Sequence, residues 1–232
     1  MRSTSASTLS ALISIVICGA SVAGTVTLSP GGLGQVSVQV ASFQELKFRE
    51  VIKQAYDFSC GSAAVATLLT FYYEQARSEE TVFRAMFENG DQEKIRRKGF
   101  SLLDMKIYLE SQGYKADGFR ISLDKLVAVD IAAIALVNVA GYSHFVVIKA
   151  IDEQRVLLSD PAVGNRIVRR EEFAEIWNGI FLVIHSHTEV AKPYFNTAEA
   201  WQYLPGAPLG EAISRSTLAQ FTMSLSPRPG DY

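Results

Sequence analysis

The sequence predicts an α+β domain in which helices early in the chain pack on an antiparallel sheet that follows them. Three observations predict it. The run "CGSAAVATLLTFYY" (60–73) is rich in Ala and Leu and too long for a strand. Helix-capping signatures recur from there to residue 122. From residue 132 onward, short β-branched apolar stretches alternate with turn residues.

The elements follow in order. Over 24–44 the chain is first Gly-rich and then alternates, with Val36, Val38 and Val40 against Ser37 and Gln39, as in a strand or extended arm. The run 60–73 is a buried helix with Asp57 or Ser59 near its N-cap. Ser78 caps "EETVFRAMF". Lys94, Arg96, Arg97 and Lys98 read as a solvated loop. Ser101 with Asp104 three residues later is a capping box that opens "LLDMKIYLESQ", and Gly113 stops that helix. Ser122 caps "LDKLVAV". Strands are predicted over 132–139, 144–152, 155–160 and 165–169, separated by Gly141, Glu153-Gln154 and the segment 161–164. The helix "EEFAEIW" and a last strand over 180–185 complete the pattern. From residue 188 Pro193, Pro205, Pro208, Pro227 and Pro229 punctuate weakly periodic sequence. This is a C-terminal extension that packs on the domain or is partly disordered, with a short helix near 211–221.

The 232 residues suffice for one domain with a real core and some extra chain. With 48% hydrophobic and 20% charged residues, the chain is globular rather than disordered. A formal net charge of −2 and the lack of a dense basic stripe exclude a nucleic-acid surface. Residues 1–23 read as a secretory signal: Arg2 is the positive end, 9–22 is apolar or small, and Ser21-Val22-Ala23 offers a cleavage site after Ala23. The apolar run is short for a membrane span, so no stable span remains after its removal. The expected location is the periplasm or the outside of the cell.

Removal of the signal takes Cys18 with it and leaves Cys60 alone in an exported chain. A lone thiol cannot form an internal disulfide, so it is either a small buried hydrophobe or a reactive group. Its place at a helix N-terminus favours the thiolate, and Gly61 beside it keeps the backbone uncrowded. A thiol nucleophile needs a base. Of the three histidines, His185 and His187 read as surface residues, while His144 opens a strand after the turn "VAGYS". The base needs an orienting partner. Asp160 ends the next strand, and a turn near Glu153-Gln154 would bring it opposite His144 across a hairpin. The plainer alternative for Asp160 is a turn-initiating residue before Pro161. Gln54, six residues before Cys60, can supply a side-chain amide as a second oxyanion donor beside the backbone N–H of Cys60. The histidines and the one remaining cysteine lack metal-ligand spacing, and no cofactor is expected.

The order Gln, Cys, His, Asp is that of papain-like folds. The blocks "QAYDFSCGSAAVATLL", "GYSHFVVIKAID" and "VLLSDPAVG" resemble the C39 peptidase family, whose papain-like domains remove double-glycine leader peptides. That family carries a Gln six residues before its Cys-Gly, a His opening an apolar strand and an Asp-Pro after the next strand. Gln54, Cys60, His144 and Asp160 match those positions one by one. The resemblance covers roughly residues 45–187. It departs at Ser59, where many members have an acidic residue, and in having no transporter or ATPase motif.

The resemblance implies a papain-like cysteine peptidase of the freestanding secreted branch, which includes a protein of functional-amyloid secretion systems. The implied partner is a polypeptide cut after small residues such as Gly-Gly: an amyloid subunit or a secretion component. Two other readings stand beside it. One is a catalytically silent binding module or chaperone; the other is the same triad used for cell-wall amidase or transglutaminase-like chemistry. The Gly31-Gly32 pair in "LSPGGLGQ" reads as a flexible linker, with self-processing after Gly32 as the alternative.

Overall fold

In the structure, a computed structural model, residues 24–28, 36–40, 43–139 and 141–202 are described. The signal segment, the Gly31-Gly32 pair and the helix expected near 211–221 lie outside them. The chain divides into two units, residues 1–42 and 43–232. In the first, β1 (Gly24–Leu28) pairs antiparallel with β2 (Val36–Val40), Gly24 opposite Val40 and Leu28 opposite Val36.

The second unit opens with a short helix, α1 (Phe43–Lys47), followed by α2 (Cys60–Tyr72). Residues 63–66, Leu68 and Leu69 of α2 are fully buried, so this helix is the centre of the core rather than an amphipathic cover. Around it lie α3 (Glu79–Asn89), α4 (Gln92–Lys98) and α5 (Leu102–Ser111). The predicted caps form: Ser78 accepts from the Thr81 amide at 3.2 Å, and Ser101 with Asp104 makes the reciprocal box. Gly113, just past α5, has φ +86°, the left-handed backbone a helix stop uses.

The basic cluster is not a loop. Lys94, Arg96, Arg97 and Lys98 ride on α4, which Asp91 caps and the buried Ile95 anchors to the core. Arg96, Arg97 and Lys98 sit in its last turn, where they complement the helix dipole. One apolar anchor in seven residues gives too little periodicity for sequence reading to detect.

The sheet contains β3 (Ala116–Phe119), β4 (Ala133–Val139), β5 (Tyr142–Ile151), β6 (Arg155–Asp160), β7 (Gly164–Arg169) and β8 (Trp177–Ile184). Its order is β3-β8-β4-β5-β6-β7, and every neighbouring pair is antiparallel. Helix α6 (Leu123–Val129), capped by Ser122, precedes β4, and α7 (Arg170–Ile176) links β7 to β8. The first strand, β3, escaped prediction because "ADGF" has neither length nor alternation.

Beyond residue 187 the described chain continues as α8 (Thr188–Ala191), a 3-10 turn over Lys192–Tyr194 and α9 (Ala198–Gln202). Ala191, Phe195 and Ala200 are buried, and Asn196 hydrogen-bonds the backbone of Lys149 and Ile151 in β5. These pieces are too short for periodicity and are held by tertiary contacts. No helix among the described residues is long and apolar enough to cross a membrane.

Candidate active site

Cys60 is the first residue of α2 and is 4% exposed. Ser59 stands at the N-cap position, but its hydroxyl does not cap the helix. It turns back instead, donating to the Tyr56 carbonyl at 2.9 Å and accepting from the Tyr56 amide at 3.1 Å. The first turn of α2 therefore has no side-chain acceptor, and its dipole falls on the thiol. Gly61 packs on Phe100, where an added Cβ would come within 3.0 Å of the ring's own Cβ.

His144 enters from β5, opposite Val137 of β4. It is buried, and its Nε2 lies 2.7 Å from Oδ1 of Asp160. Cys60 also acts on its ring, favouring the charged imidazolium. With Nε2 committed to Asp160, Nδ1 is the nitrogen available to the thiol. Burial opposes charge on the imidazole, but the interactions with Asp160 and Cys60 outweigh it and raise its pKa to about 9.

Asp160 ends β6 and is buried. Both sequence readings of it hold together. Its Oδ1 accepts from the Ala162 amide at 2.9 Å and the Val163 amide at 3.4 Å, as a turn initiator does, while also facing His144. Burial disfavours the carboxylate, but His144, the Ala162 amide and Arg166 together hold the carboxyl below the ordinary range.

The structure thus brings Cys60, His144 and Asp160 into one contiguous set. Gln54 adjoins it differently. Its backbone N–H donates to the carbonyl of Pro161 at 3.0 Å. Its side-chain Nε2 donates to the carbonyls of Tyr56 at 2.9 Å and Asp57 at 3.4 Å, and its Oε1 is buried with no partner. His185 and His187 are exposed; His185 bonds Asp117 at 2.8 Å.

Two neighbours went unpredicted. Tyr142 hydrogen-bonds the carbonyl of Asp57, and its ring centroid lies 6.3 Å from that of His144. Its half-exposed ring lines a cleft of about 290 Å³ that Cys60, Leu102 and Leu103 also line. The signal was an aromatic residue two positions before the histidine. Arg166 is the second: its Nε lies 3.2 Å from Oδ2 of Asp160. Its signal was a cation in a short apolar strand just after the Asp-Pro turn.

The peptidase domain of Streptococcus ComA, a bi-functional ABC transporter, is similar in structure: TM-score 0.50 and 16% identity over 58% of this chain and 96% of that one. Helices packed on an antiparallel sheet, with a cysteine at a central helix and a histidine on the sheet, make up a papain-like fold. The Peptidase C39 family model matches residues 49–189, and the chain belongs to that family. It is 41% identical to the "Probable functional amyloid protease FapD" of Pseudomonas fluorescens over 73% of this chain and 76% of that protein. Its identity to the protein of the same name in Pseudomonas aeruginosa is 42%, over 73% of this chain and 75% of that one.

Proposed function

We propose that Cys60, His144 and Asp160 are the catalytic triad of an exported endopeptidase acting in functional-amyloid secretion. The observation that carries this reading is His144, hydrogen-bonded to Asp160, with Cys60 near enough to favour its charged form. His144 takes the thiol proton, and Asp160 holds the imidazolium. The thiolate attacks a peptide carbonyl, and the imidazolium returns its proton to the leaving amine as a thioester forms. Water, deprotonated by His144, then releases the acyl group and restores the thiol.

Gln54 and the backbone N–H of Cys60 are the oxyanion donors, each contributing on the order of 3 kcal/mol in sites of this type. Gln54 does so by exchanging its longer contact, 3.4 Å to the Asp57 carbonyl, for the developing oxyanion. The substrate is a secreted polypeptide cut after small residues of the Gly-Gly kind. Support for an amyloid subunit or secretion component comes from the Pseudomonas relatives, which are named as probable functional amyloid proteases. Residues 1–23 are the signal, 24–44 an arm, 45–187 the peptidase domain and 188–232 an extension. The enzyme works in the periplasm or outside the cell.

The test uses chloroacetamide, which needs no substrate. Cys60 in the wild type is expected to be alkylated at pH 7 at least about ten times faster than in His144→Ala, because His144 stabilises the thiolate. Equal rates would overturn the pairing. In cells, Cys60→Ala should leave the secreted amyloid subunit unprocessed; normal processing would favour a silent binding module.

A further inference from the structure

We infer that Arg166 is a positioning residue for this site: its guanidinium holds Oδ2 of Asp160 so that Oδ1 stays on His144 and the carboxylate keeps its charge. The inference rests on the triad reading above. Arg166 stands on β7 opposite Leu158 of β6, and its Nε lies 3.2 Å from Oδ2 of Asp160. Among the described residues, Asp160 is its only ion-pair partner. Oδ1 carries His144 and the two turn amides, so Oδ2 is the free oxygen of a carboxylate that is almost wholly buried. A buried carboxylate with one oxygen unbonded would rotate or take up a proton. Arg166 prevents both.

The contact is one of charge more than of an aligned hydrogen bond, because Nε has no partner of hydrogen-bond geometry. Its register is nonetheless fixed by the two residues before it. Gly164, with φ +88°, pairs with Asp160, and a Cβ there would come within 2.5 Å of the Lys47 carbonyl. Asn165 accepts from Ser159 Oγ at 2.9 Å and donates to the Arg49 carbonyl at 2.6 Å. A strand pinned at two consecutive residues delivers the third to one place. The charges also close. Thiolate, imidazolium, carboxylate and guanidinium sum to zero, whereas without Arg166 the buried set would carry a net negative charge that opposes the thiolate.

The groups facing the Asp160 carboxyl are His144 from β5, Arg166 from β7 and the amides of Ala162 and Val163. Its titration therefore includes the charge of Arg166 beside the larger effect of His144. We would follow the Asp160 carboxyl by 13C NMR in the whole chain, in the wild type, Arg166→Gln and Arg166→Lys. The Gln variant should raise the midpoint by about half a pH unit or more, and Lys, which restores the charge, should bring most of it back. Alkylation of Cys60 at pH 6 should slow several-fold in the Gln variant and recover in the Lys variant.

An unmoved Asp160 midpoint in Arg166→Gln would overturn the inference. Should the Gln variant fail to fold, Arg166→Met carries the same comparison against Lys. The triad reading is judged separately: if His144→Ala leaves alkylation unchanged, that reading fails; if it slows alkylation while Arg166→Gln moves nothing, only the role of Arg166 fails.

Discussion

Gln54 and Pro161 are joined backbone to backbone, the amide of one donating to the carbonyl of the other at 3.0 Å. The loop that feeds Cys60 and the turn that starts at Asp160 therefore share one support. Gln54→Ala removes the side chain and leaves this bond in place. Its expected effect is a loss of about 10²–10³ in kcat with KM nearly unchanged, as for a lost oxyanion donor. Melting within about two degrees of wild type, alongside single-turnover cleavage of the polypeptide substrate, checks it. A large fall in Tm would assign Gln54 to loop structure instead.

Asp160→Asn separates the two tasks of this residue. The asparagine carbonyl still accepts from the Ala162 amide, so the turn survives. It carries no charge to hold an imidazolium, so kcat is expected to fall about 10²–10⁴-fold. The NMR titration midpoint of His144 should drop from about 9. A retained midpoint would show that something else holds the proton.

Stability should respond to pH through His144. Its pKa is raised in the folded state from 6.5 to about 9, so between those values the folded chain holds a proton that the unfolded chain has released. Stability from this group is full below pH 6.5 and is lost as pH rises through about 9. Asp160, depressed on folding, works the other way: its contribution is present above the ordinary carboxylate value of 3.8 and is lost as pH falls through its lower folded value. Urea unfolding of the wild type and His144→Ala across pH 6–10 should show a downward slope in the wild type that the variant largely lacks.

Two glycines with similar backbones should behave differently. Gly141 and Gly164 have φ +86° and +88°, but an added Cβ meets nothing within 4 Å at Gly141 and the Lys47 carbonyl at 2.5 Å at Gly164. Gly141→Ala should cost about 1 kcal/mol from backbone strain alone. Gly164→Ala adds a backbone clash and should cost about 3 kcal/mol or more, with lost activity because Asp160 pairs with this residue. Comparison of the two melting temperatures checks it.

The sequence made the long-range pattern legible where the signal was local. The helix at Cys60 shows as an unbroken Ala/Leu run, and the strands carrying His144 and Asp160 show as β-branched stretches between turns. The reach between His144 and Asp160 followed from hairpin length alone. What was hidden depended on a third element. Arg166 meets Asp160 only because β7 folds back beside β6, and Tyr142 meets Asp57 only where β5 comes beside the loop before α2. Lys149, inside the apolar run of β5, is buried against Glu50 from the loop before α2, a pairing no period reveals. The orientation of the Gln54 amide was equally out of reach, since it is set by two carbonyls in its own loop.

The depth of Cys60 bears on how such an enzyme survives oxidation. Among the described cysteines it is the sole free thiol, and it lies almost wholly out of solvent at the foot of the cleft walled by Leu102, Leu103 and Tyr142. Thiol–disulfide exchange requires a second sulfur to reach the thiolate in line, so a disulfide must enter the cleft along the path the scissile peptide takes. Peroxide is small enough to enter. The sulfenic acid it would form has no neighbouring described cysteine to capture it, so recovery depends on a reductant from outside the protein. The depth of the thiol thus leaves its repair to other molecules.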